Sequence, residues 1–151
     1  MKRLLFLLGL SVVIVSAGSS ATRAQGTAKG PDPTMVRDQA LEKEAAHNLE
    51  VARHYFKLRK AYRASLDRCE ETIAGYPAFS HFDEVLYIAG MSSYYLSVGQ
   101  GKQRPTGSQT PEKMRDNARI YLTQLANDFP ESAFRAEALQ TLEPLGGPLK
   151  P

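Results

Sequence analysis

Residues 76–99, YPAFSHFDEVLYIAGMSSYYLSVG, constrain the fold more than any other stretch of the chain. They combine a helix stop, a helix start and a helix that is apolar on two faces. Ser80, three residues before Asp83, reads as an N-cap with an acidic partner in the first turn, and Gly99 supplies the left-handed residue that closes a helix. Between those limits Phe82, Val85, Leu86, Ala89, Ser93 and Leu96 follow the i, i+3, i+4, i+7 spacing of one helix face. Tyr87, Met91, Tyr94 and Val98 form a second stripe. Two stripes require neighbours on both sides, so the segments before and after should also be helical. The spacing predicts an all-α protein of antiparallel helical hairpins.

The flanking segments agree. From about Met35, Leu41, Ala45, Leu49, Ala52 and Phe56 recur at spacings of three and four, which is a long amphipathic helix. The pattern slips around residues 58–61 and resumes with Tyr62, Leu66, Cys69, Ile73 and Tyr76, so a short turn should fold the two helices together. Gly75 and Pro77 end the second helix. Residues 100–110, QGKQRPTGSQT, are polar throughout and should form a solvated loop. Thr110, Pro111 and Glu112 then supply an N-cap, a proline at the first helical position and an acid in the first turn. Met114, Ala118, Tyr121, Leu122, Leu125 and Phe129 mark the buried face of that helix. Pro130 stops it, and Phe134, Ala138, Leu139 and Leu142 give a last short helix. The helical domain therefore spans residues 35–145, with a flexible tail at 146–151.

Lys2 and Arg3 precede an apolar run from Leu4 to Val15, which small residues follow. Residues 1–24 have the form of a secretory signal peptide, cut after Ala24, with Ala21 and Ala17 as alternative sites and an uncleaved anchor as the competing reading. Residues 25–34, rich in Gly and Pro, form a flexible lead-in. The formal net charge of +3 comes wholly from Lys2, Arg3 and Arg23, because those first residues hold no acid. The remainder is formally neutral, which gives no general attraction for nucleic acid. A single cysteine, Cys69, has no partner for an intramolecular disulfide and sits at a packing position between Leu66 and Ile73. No cysteine follows the leader to take a lipid, so the expected product is exported and soluble.

The chain also repeats itself. At an offset of 53, Ser65, Cys69, Thr72, Tyr76, Pro77, Glu84 and Leu86 fall on Ala118, Leu122, Leu125, Phe129, Pro130, Glu137 and Leu139. Small residues at Ser65 and Ala118 let helices approach closely. The pieces YFKLRKAYRASLDRCEETIAGYP, FDEVLYIAGMSSYYLSVG and ARIYLTQLANDFPESAFRAEAL resemble the tetratricopeptide repeats of BamD-like outer-membrane assembly factors, and CpoB-like coordinators of the cell envelope share the aromatic–proline punctuation. That resemblance, over roughly residues 41–142, implies a short tetratricopeptide-like α-solenoid in the periplasm. It implies a partner in the outer-membrane β-barrel assembly machinery and no catalysis. The chain departs from the family in holding about two repeats instead of about five, and in placing Lys60 where such turns often use Gly.

Residues suited to catalysis do not cluster. His47 and His54, seven apart, share a helix face without a third metal ligand, and the serines lack a local nucleophile signature. Gly99 and Gly101 lead into a polar loop instead of a helix N-terminus, so no phosphate loop is formed. No enzyme, cofactor or metal is expected. Two features fit a partner: the basic run Arg53, His54, Lys57, Arg59, Lys60, Arg63 and Arg68, and the second apolar stripe of the central helix. Arg53, Lys57, Tyr87, Met91 and Tyr94 are accordingly the candidate partner-binding residues. Self-association through the same stripe is the alternative use of such a surface.

Overall fold

The structure is a computed structural model that describes residues 33–103, 107 and 109–150. The expected signal peptide and residues 25–32 of the lead-in lie outside the described residues. All regular structure among the described residues is helical: α1 (Pro33–Arg53), a π-helical segment (His54–Arg59), α2 (Tyr62–Gly75), α3 (Phe82–Ser97), α4 (Pro111–Asp128), α5 (Arg135–Leu142) and a closing 3-10 turn (Glu143–Leu145). No helix among them is long and apolar enough to cross a membrane.

Successive helices pack against each other, and the α3–α4 and α2–α3 pairs share the largest contacts. The first stripe of the central helix is buried throughout, at Phe82, Val85, Leu86, Ala89, Ser93 and Leu96. Of the second only Met91 is buried, Tyr87 and Tyr94 being half-buried and Val98 exposed, because α5 and the 3-10 turn cover that face only in part. Close approach of α3 and α4 depends on Gly90: a Cβ there would stand 2.5 Å from Leu122 Cδ2. Ser65 and Ala118, the paired small residues of the repeat, are both fully buried. The Ser65 hydroxyl donates to the Ala52 carbonyl at 3.0 Å, which joins α2 to α1.

The repeat recurs in the backbone. At the α2–α3 corner, Tyr76 N–H donates to Thr72 O, Phe79 to Tyr76, Phe82 to Phe79 and Val85 to His81. At the α4–α5 corner, Phe129 donates to Leu125, Ser132 to Phe129, Arg135 to Ser132 and Ala138 to Phe134. Every donor and acceptor is displaced by 53 residues. The aromatic–proline pair explains this geometry: the proline cannot continue the hydrogen-bond ladder, and the aromatic before it is pushed out of the α region, to φ −136° at Tyr76 and −126° at Phe129.

Three local expectations change. Ser80 does not cap α3, whose preceding residue His81 makes no side-chain cap. Its hydroxyl donates instead to the Glu42 carboxylate on α1, so it fastens a corner to an earlier helix. The loop after α3 is only partly solvated at its start. Gly99, at φ +72°, and Gln100 close α3 by bonding back to Leu96 and Tyr95. Lys102 N–H then donates to Lys60 O, and Gln103 Oε1 accepts from Ala64 N–H at 3.1 Å, capping α2 from a distant loop. Finally, residues 146–150, expected as a flexible tail, are tied along α4. Arg119 donates to the Gly147 carbonyl, and Leu149 N–H donates to Thr123 Oγ1 at 3.0 Å.

Thr110 caps α4 as expected, accepting from Lys113 N–H at 3.3 Å with Pro111 in the first turn. The turn between α1 and α2 also falls where the apolar pattern slips. Its form was not foreseen: the helix widens to a π-helix with no buried residue, and Lys60 reverses the chain at φ +50°.

Candidate functional site

The five candidate residues are divided among three environments. Arg53, at the end of α1, is engaged by the fold: its Nε donates to Glu84 Oε1 at 2.6 Å and its Nη2 to Glu84 Oε2 at 2.5 Å. That paired carboxylate raises the Arg53 pKa. Tyr87 stacks on Phe134 of the α5 entry, with centroids 4.7 Å apart. Burial, followed by a hydrogen bond to Glu137, raises its phenol pKa. Glu84 and Glu137 are repeat equivalents, and each reaches back from one odd-numbered helix to the one before it. Met91 is 4% exposed and receives a contact from Thr141 Oγ1, so it belongs to the core.

Lys57 and Tyr94 remain accessible, in different places. Lys57 lies on the π segment with Leu58 and Arg59, and Lys60 follows; all four are exposed. Tyr94 lines a groove of about 340 Å³ with Ser97, Val98, Pro111, Glu112, Arg115, Pro144 and Leu145. The end of α3 supplies one wall, the start of α4 the second and the 3-10 turn the third. Arg115 is steadied there by donating to the Pro144 carbonyl at 3.2 Å. Ring, proline and aliphatic walls with Glu112 and Arg115 at hand suit an apolar peptide side chain flanked by polar groups. A second groove, of about 400 Å³, lies between α1 and the first corner and is lined by Leu41, Glu42, Tyr76, Pro77 and Phe79 among others.

No protein-family model, no curated protein and no solved structure matches the chain. What the surface can do follows from its own residues.

Of the rest of the basic run, Arg68 pairs with Glu71 at 2.6 Å, and Arg59 Nε lies 3.4 Å from His54 Nε2. Among the described residues no three His, Cys, Asp or Glu side chains converge on a common point. His81 meets the edge of Phe79, and Cys69 is buried, where the apolar surroundings raise its thiol pKa. Sequence reasoning missed Pro111, Arg115 and Pro144 as groove residues, because only the packing of three elements brings them beside Tyr94. It also missed an aromatic group at the top of α2, where Tyr62 and Tyr95 stand 4.6 Å apart and Phe56 lies 5.6 Å from Tyr62. The odd spacing of Phe56 and Tyr62 across the turn was the available signal.

Proposed function

We propose that the chain is a short tetratricopeptide-like α-solenoid that acts as a non-catalytic protein-binding scaffold in the periplasm. In this reading it is BamD-like and assists outer-membrane protein assembly. The observation that carries it is the duplication of the aromatic–proline corner, hydrogen bond for hydrogen bond, at an offset of 53 residues. Side chains that join alternate helices support the same reading. Ser80 links the first corner to α1, Arg53–Glu84 links α3 to α1, Ser132–Asp83 links the second corner to α3, and Tyr121–Glu70 links α4 to α2. Helices so stacked bury their shared faces and leave grooves at the ends of the rows, where a partner's peptide fits. The Tyr94 groove is the assigned contact. Arg53 and Met91 are committed to the fold and lie outside the groove lining.

In-cell photocrosslinking from position 94, followed by mass spectrometry, tests the reading. Capture of a β-barrel assembly component supports the BamD-like role. A peptidoglycan or division protein assigns the scaffold to envelope coordination of the CpoB-like kind. Capture of the chain's own copies alone removes the client and leaves a self-associating protein. Tyr94→Ala should abolish capture from a probe at the neighbouring exposed Val98 while helicity and melting stay unchanged; undiminished capture removes Tyr94 from the surface.

A further inference from the structure

The turn between α1 and α2 carries a second surface, independent of the scaffold reading. Residues 57–60, Lys-Leu-Arg-Lys, are all exposed, and Leu58 at 72% is the most exposed large apolar side chain among the described residues. Phe56 of the π-helix packs half-buried against the core, and beyond it the left-handed Lys60 ends the turn, so residues 57–60 are the part that faces outward. The start of the loop after α3 adds another cation: Lys102 is bonded to Lys60 through the backbone at 3.1 Å.

Charge at this corner is one-sided. Residues 51–66 contain no aspartate or glutamate, and neither do residues 85–103, whose last two bond to Lys60 and Ala64. Of the acids just outside them, Glu84 is occupied by Arg53, and Glu50, one residue before the first stretch, also acts on Arg53. The chain beyond residue 24 is neutral as a whole, so the acid-free corner is a local concentration of positive charge. This exposed turn sets one apolar side chain among Lys57, Arg59 and Lys60, with Lys102 joined to Lys60 through the backbone. It matches a soft, negatively charged plane that admits one leucine beneath its headgroups while cations contact phosphate.

We propose that this turn docks on the surface of an anionic phospholipid bilayer, with Leu58 inserted at the headgroup boundary. The rest of the helical domain stays outside the hydrocarbon. Each cation close to such a surface contributes roughly fivefold to partition, and the attraction weakens as salt is added.

The chain has no tryptophan, so the emission of Leu58→Trp reports on this position alone. With vesicles of phosphatidylglycerol and phosphatidylethanolamine, its emission should shift to the blue and be quenched by brominated acyl chains. Salt should reverse the shift, and adding Lys57→Glu with Lys60→Glu should reduce partition at least about tenfold. Ile120→Trp, at an exposed position of α4, should stay unshifted. An unmoved emission at position 58 overturns the proposal, as does an equal shift at position 120 or with phosphatidylcholine vesicles. A shift produced by polyglutamate and not by vesicles overturns it in favour of an acidic protein partner. Flotation of the full chain with the same vesicles, with and without the two lysine reversals, reads the salt-dependent share without tryptophan. Equal flotation of both proteins overturns the proposal.

Discussion

Lys60 is the only non-glycine among the described residues with a positive φ, +50°. A side chain in that conformation crowds its own carbonyl and costs about 1–2 kcal/mol, part of which glycine would lose again as chain entropy. Lys60→Gly is therefore expected to raise stability by about 0.5–1 kcal/mol, seen as a higher urea midpoint with an unchanged slope. An unchanged or lower midpoint would mean that the lysine stem contributes packing that offsets the strain. The same residue serves the proposed membrane contact, so this variant should gain stability and lose vesicle partition together. Gly90 is the opposite kind of position: its backbone is ordinary helix, and the constraint is the Leu122 side chain lying against it.

Between elements, the Arg53–Glu84 pair joins the end of α1 to the first turn of α3. Glu84 retains 13% of its side-chain exposure and Arg53 39%, so solvent screens the cation more than the carboxylate. Arg53→Ala leaves a largely buried carboxylate without its partner and should cost about 1–2 kcal/mol. In a double-mutant cycle with Glu84→Gln, a coupling of about 1 kcal/mol is expected from denaturation curves. Additive single effects would show that the fork contributes nothing beyond its two separate side chains. The pair also explains why a basic run legible in the sequence does not act as one surface. Arg53 and Arg68 are held by carboxylates, while Lys57, Leu58, Arg59 and Lys60 stand exposed beyond Phe56, which packs the π turn against the core.

For the whole molecule, Cys69 on α2 and Tyr121, which reaches from α4 to Glu70 beside it, both titrate late. Burial comes first as the cause in each, and it raises the thiol above its ordinary 9.0 and the phenol above 10.0. Because both folded values are raised, their contribution is complete below about pH 9. It is lost as pH rises further, when the unfolded chain releases protons that the fold retains. Urea midpoints measured against pH should fall from about pH 9 upward, and Cys69→Ala should delay the onset toward about pH 10. An onset that stays in place would clear the thiol of any part. The sequence by itself determined the helices, the corners and the repeat: apolar spacing, aromatic–proline stops and small residues act through local sterics and periodicity, which need no knowledge of the neighbours. Only the tertiary structure decided that Ser80 reaches Glu42 and that Gln103 caps α2. It also decided that the tail lies on α4, that Met91 is covered by α5, and that Tyr94 opens into a groove. Those outcomes join residues far apart in the chain, and the side chain that meets a given atom depends on how the helices cross.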